Sequence, residues 1–128
     1  MNKPDQGFGM VVKAAGAAIA FGAVLLASNS AVAADAANGK ALVESHNCAA
    51  CHGVKLNNPV SSEYPKLAGQ HASYIYWALR QYQMGTNNPN LGRSNPIMQA
   101  QVGSLSQSDM KDIAAYVETL TGDLVQKK

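Results

Sequence analysis

Two cysteines and a histidine fall within five residues of the stretch "NCAACHGV", Asn47 to Val54, and Cys48 and Cys51 are the only cysteines of the 128-residue chain. Four chemistries use a C-x-x-C pair. A redox dithiol of the thioredoxin kind needs a βαβ setting, and this chain shows helical spacing instead. A structural zinc ion takes four ligands, whereas Cys48, Cys51 and His52 offer three, two of them adjacent and poorly placed around one tetrahedral ion. A disulfide across so short a loop would constrain little of the unfolded chain. The fourth chemistry uses every residue of the motif: thioether bonds from Cys48 and Cys51 to the two vinyl groups of a haem, with His52 beneath the iron, as in c-type attachment.

With His52 on one axial position, the other decides the chemistry. A methionine thioether raises the reduction potential and closes the iron, while a vacant site admits small molecules. The candidates are Met84, Met98, Met110, His46 and His71. Met110 falls on the apolar side of a helical segment and suits core packing. Met84 ends a helical run, suiting packing or surface. His46 stands too close to the motif to reach the far side of a haem, and His71 opens a helix. Met98 lies in "SNPIMQAQVGS", read as an otherwise polar loop about 46 positions after His52, where a lone apolar sulfur needs a reason. Met98 is the favoured sixth ligand.

The elements that must position these groups are helical. Asp35 to His46 reads as a short helix turning Ala41, Leu42 and Val43 inward. The run "GVKLNNPVSSEYPKLAGQ" is rich in Gly, Pro, Asn and Ser and reads as loop with isolated turns. His71 to Met84 has no Gly or Pro, and its apolar groups recur at helical spacing until Gly85 stops it. A second loop, "TNNPNLGRSNP", leads to Met98. Ser106 to Thr121 reads as a helix with Ser106 as N-cap and Asp109 at the third position, an acidic capping box. Its predicted inward side is Met110, Ile113, Ala114, Val117 and Leu120, with Tyr116 at the margin. The expectation is one all-α domain of three main helices, whose long loops need something to wrap around. A haem is a large apolar disc that would supply the missing core of so small a domain.

The chain opens with Lys3 and Lys13, an almost uncharged run from Ala14 to Ser28, and then "NSAVAADAANG" with small residues at Ala31 and Ala33. That is the pattern of a secretory signal peptide. The expected organisation is a leader over 1–34, cleaved after Ala33 or Ala34, and a haem domain over 35–128. The apolar run of 15 residues is short of the roughly 18–20 that span a bilayer, so membrane contact is expected only if the leader is retained. From Asp35 onward there are eight basic and seven acidic residues. This balance shows no basic stripe and argues against nucleic acid.

Four landmarks in order, "CAACHG", "YPKLAGQHASYI", "GRSNPIM" and "LSQSDMKDIAAYVETL", give the chain a resemblance to class I c-type cytochromes, specifically to bacterial single-haem proteins similar to one half of the two-haem cytochromes c. The resemblance covers about Gly39 to Leu120. It implies a small cytochrome c fold around one covalently attached haem c, with Cys48 and Cys51 as thioether anchors and His52 and Met98 as iron ligands. It also implies that the Pro65 carbonyl accepts a hydrogen bond from His52, and that Gly39 and Tyr116 mark a close crossing of the first and last helices. One departure stands out: Ala78–Leu79 occupies the place of an expected Gln–Leu pair. Arg93, which follows Gly92 ahead of the methionine, is the favoured substitute partner for the haem propionates, with Tyr74, Trp77 and Arg80 as others.

The resulting expectation is an exported, periplasmic one-electron carrier between a membrane or periplasmic donor complex and a terminal oxidase or reductase, not an enzyme and without a small-molecule substrate. The competing expectations are a gas sensor or haem enzyme with a labile sixth ligand, and a dedicated haem subunit of one oxidoreductase. Two ionised propionates would shift the mature net charge from +1 to about −1, so strong electrostatic steering is not expected. A neutral patch including Ala49, Ala50 and Val54 is the expected docking surface.

Overall fold

The computed structural model describes residues 33–124. All of the expected leader except Ala33 and Ala34 lies outside the described residues. Among the described residues five α-helices follow one another: α1 (Ala36–Ser45), α2 (Ala49–His52), α3 (Ala72–Met84), α4 (Pro96–Val102) and α5 (Gln107–Thr119), with short 3₁₀ turns at Val54–Leu56 and Gly85–Asn87. No strand occurs among the described residues. None of these helices is long and apolar enough to cross a membrane.

Local chemistry sets the helix ends. Asp35 caps α1 through Oδ1, which accepts from the N–H groups of Ala37 and Asn38 at 2.8 and 3.2 Å. Helix α5 opens on the predicted capping box: Asp109 N–H donates to Ser106 Oγ at 3.1 Å and Ser106 N–H to Asp109 Oδ2 at 2.8 Å. These bonds satisfy donors that a helix start otherwise leaves unpaired. The Ser106 hydroxyl foremost, and then its backbone, holds the Asp109 carboxyl below its usual range. A depressed carboxylate contributes stability that is complete above the unfolded value, about pH 4, and is lost as pH falls through the folded one. Ser106→Ala is expected to cost about 1 kcal/mol, the usual loss for an N-cap. Urea titrations at pH 7 and pH 3 check this, and the cost should shrink at the lower pH.

The α1–α5 crossing is the most extensive helix–helix contact. It depends on Gly39, whose ideal Cβ would sit 1.9 Å from the backbone oxygen of Asp112. Gly39 and Val43 are buried and Leu42 half-buried, while Ala41 is exposed. This corrects the expected inward set of α1, because Ala41 lies about 200° around the helix from Gly39. The inward side of α5 is as expected at Met110, Ile113, Ala114 and Val117, with Leu120 half-buried. Asp112 is buried as well, which the apolar pattern did not indicate.

Helix α3 packs on α5, and α4 packs on α3. Gln83 ties this side together, its Nε2 donating to the carbonyls of Leu105 at 2.8 Å and Val102 at 3.2 Å. Met110, Val102 and Val117 are the largest fully buried side chains. Met110→Ala would leave a cavity in a core with little else to fill it, and a loss of roughly 2–5 kcal/mol is expected. Denaturant unfolding of the holoprotein measures it.

Candidate functional site

The cysteine motif follows α1 after one reversal, at Asn47, whose φ of 51° is left-handed. Helix α2 is then a single turn, so Cys48, Cys51 and His52, at i, i+3 and i+4, share one face of it. Gly53 ends the turn at φ 79°, and a Cβ there would meet the Asn58 carbonyl oxygen at 1.6 Å. Lys55 and Leu56 are also left-handed, at φ 56° and 57°. For residues with a Cβ this costs roughly 1–2 kcal/mol each. The bend buries Leu56, whose carbonyl accepts from the N–H groups of Leu67 and Ala68. The loop 57–69 is thereby folded back beside the motif.

That loop brings Pro65 to His52, whose Nδ1 lies 2.8 Å from the Pro65 carbonyl oxygen. A carbonyl can only accept, so Nδ1 carries the proton and Nε2 is left free to bind a metal. His52 is 6% exposed. Tyr64 packs edge-on to it, with ring centroids 6.3 Å apart.

Cys48, Cys51, His52, Tyr64 and Pro65 line a cavity of about 420 Å³ that continues along α3, α4 and α5. This volume lies in the range of roughly 300–1,000 Å³ typical of cofactor sites. Its other walls are largely apolar, among them Ile75, Leu79, Val102 and Val117. Met98 lines the same cavity from α4. The sequence reading placed Met98 in a loop; it sits instead on a short helix begun by Pro96 and capped by Asn95, whose Oδ1 accepts from Met98 N–H at 3.0 Å. Of the other candidate ligands, His46 also lines the cavity, while Met84, His71 and Met110 do not. His71 instead lies 3.7 Å from Glu118.

Arg93 and Tyr74 are cavity-lining too, joined by Tyr82, which the sequence reading missed. The Arg93 guanidinium carbon lies 5.6 Å from the Tyr74 ring centroid and 5.5 Å from that of Tyr82, within cation–π range. Tyr74 foremost pushes the Arg93 guanidinium up from its ordinary value, which reinforces its charged form. Trp77 was expected at this site and is not there. It is 58% exposed, stacks edge-on with Tyr76 and is absent from the cavity wall. Cavity-lining Tyr74, Ile75, Ala78, Leu79 and Tyr82 occupy one side of α3, and Trp77 is turned about 130° from its centre at 100° per residue.

The donor set discriminates among the chemistries of a C-x-x-C pair. Burial foremost pushes the Cys48 thiol up, opposite to the lowered value of a reactive redox pair. Among the described residues, no three His, Cys, Asp or Glu side chains are grouped to hold a metal ion. Two thiols and an imidazole on one turn, facing an apolar cavity of this size, fit a covalently held porphyrin.

The sequence model of the family Cytochrome c matches residues 36–121. Cytochrome c4 of Stutzerimonas stutzeri is 36% identical over 94 residues, covering 71% of this chain and 42% of that protein. Cytochrome c-553 of Helicobacter pylori is 36% identical over 97 residues, covering 76% of this chain and 90% of that one. The crystal structure of reduced recombinant cytochrome c4 from Pseudomonas stutzeri superposes with a TM-score of 0.63 at 35% identity, over 72% of this chain and 48% of that chain. The chain thus spans about half the length of cytochrome c4 and most of cytochrome c-553. It belongs to the cytochrome c family, with an all-α cytochrome c fold and haem c attached at Cys48 and Cys51.

Proposed function

We propose that this cytochrome is an exported, periplasmic one-electron carrier with a single haem closed by His52 and Met98, passing electrons between redox proteins and catalysing no reaction of its own. The observation that carries the proposal is the convergence of Cys48, Cys51, His52 and Met98 on one largely apolar cavity. Bound haem c supplies reversible one-electron chemistry at its iron.

The chain's own residues hold that chemistry in place. Pro65 fixes the orientation of His52 and raises its basicity through the 2.8 Å hydrogen bond. Met98, whose backbone N–H is held by the Asn95 cap, would offer its thioether to the iron of a bound haem, which would favour the reduced state and close the iron to small molecules. Arg93, with Tyr74 beside it, offers a fixed positive charge to the propionates. The apolar walls exclude water. Nothing in this set serves as a general acid or base for a substrate.

Electrons would enter and leave near the motif, where Ala49, Ala50 and Val54 are exposed, Val54 at 75%. These neutral residues suit short-lived contacts that do not depend on one strongly charged partner. Export is supported by the leader-like pattern ahead of Asp35.

A potentiometric titration of the exported holoprotein tests the carrier function. One Nernstian wave with one electron per chain is expected, unchanged under carbon monoxide; a wave that moves with the gas would favour the sensor or enzyme. Cys51→Ala is expected to cut covalent haem severalfold, read by haem staining of a denaturing gel. Full retention in that variant would contradict attachment at Cys51.

A further inference from the structure

Asp112 is a buried carboxylate that the haem site does not use. It is 9% exposed, at the point where α1 crosses α5. Its oxygens face two donors that are neutral in the unprocessed chain: the Asp35 backbone nitrogen, 2.8 Å from Oδ1, and Asn38 Nδ2, 2.8 Å from Oδ2. The ion pairs among the described residues join Lys40 to Glu44, Lys66 to Asp123 and His71 to Glu118, and none involves Asp112. Buried carboxylates are costly unless matched by a positive charge.

The first of those donors lies at the processing boundary. Asp35 follows the small residues "AVAA", where the sequence allows cleavage after either Ala33 or Ala34. Hydrolysis of the Ala34–Asp35 bond by a leader peptidase consumes one water. It leaves a carboxylate on Ala34 and makes the Asp35 nitrogen a primary ammonium, on the atom already 2.8 Å from Asp112. Cleavage after Ala33 would leave that nitrogen a neutral amide.

We propose that the mature chain begins at Asp35 and that its α-ammonium pairs with Asp112, a lock between α1 and α5 open only to the processed protein. The inference rests on the export proposed above and on cleavage of the leader that export would bring. Two features favour it. The Asp35 side chain caps α1 with its own hydrogen bonds, so the residue is held without help from anything upstream. An ammonium at a helix N-terminus is otherwise disfavoured by the helix dipole, and Asp112 supplies the negative charge that reverses this.

The test is the intact mass of the exported holoprotein, followed by a double-mutant cycle. One variant retains Gly-Ser ahead of Asp35 from a leader cut upstream, the second carries Asp112→Asn, and the third carries both changes. Denaturant unfolding of each holoprotein gives the coupling. A chain beginning at Asp35 is expected. The extension should lower the folding equilibrium about tenfold with Asp112 present, the equivalent of one pKa unit on the amine, and leave it almost unchanged in the Asp112→Asn background. A mass that retains the whole leader would overturn the cleavage reading and this lock together. A start at Ala34, or a start at Asp35 with equal effects of the extension in both backgrounds, would overturn the lock alone.

Discussion

Met98→Ala is expected to yield a protein that keeps its covalent haem but loses the closed iron. Its reduced form should bind carbon monoxide readily, and its potential should fall by a substantial part of the roughly 0.8 V that axial ligation commands. The expectation follows from the geometry. Among the candidate ligands, only Met98 and His46 line the cavity, and His46 stands only two residues before Cys48, too close to the attachment motif to reach the far side of a haem. Alanine removes the thioether without disturbing the Asn95 cap, which bonds the backbone of residue 98. The fold should therefore survive, and the change should be confined to spectrum, gas binding and potential. An unaltered potential with no gas binding would show that another group closes the iron.

Gly39→Val is expected to abolish the folded holoprotein, a larger effect on stability than any other single change considered. A Cβ at position 39 would be 1.9 Å from the Asp112 carbonyl oxygen and 2.9 Å from the Ile113 nitrogen, both backbone atoms that cannot swing aside. Relief requires α1 and α5 to separate along their most extensive contact. The loss would rival the whole stability of a small domain, on the order of 5–15 kcal/mol. Because α1 leads directly into the attachment turn, haem incorporation should fail along with folding. Recovery of haem-bearing protein from the exported fraction measures this, and normal yield with an unchanged melting point would contradict it.

The legible parts of the molecule were those with strong local chemistry. The attachment motif, the run from His71 to Met84, and the Ser106–Asp109 start of α5 each carry a spacing that few other structures satisfy. Helix α4 was missed because seven residues with Gln at positions 99 and 101 show no clear apolar stripe. Its signal was the Asn95–Pro96 pair, a good cap followed by proline at the first helical position. Trp77 misled because an aromatic residue three positions from Tyr74 looks like a neighbour, whereas the phase of α3 turns it to solvent. The left-handed Lys55 and Leu56 had no local signal at all. Neither residue favours that conformation, and only the packing of Leu56 and the fold-back of the Pro65 loop require it. Asp112 was invisible for a similar reason: a charged residue on an amphipathic helix reads as surface until the partner helix is in place.

The most direct test of a haem closed by His52 and Met98 is the absorption spectrum of the exported, purified protein, oxidised and reduced, with and without carbon monoxide. A sharp reduced α-band of c-type haem, a weak far-red sulfur–iron band on oxidation, and indifference to carbon monoxide are the expected result. A native protein that takes up carbon monoxide readily, or that lacks the far-red band, would contradict the closed carrier and place the sixth position open to ligands.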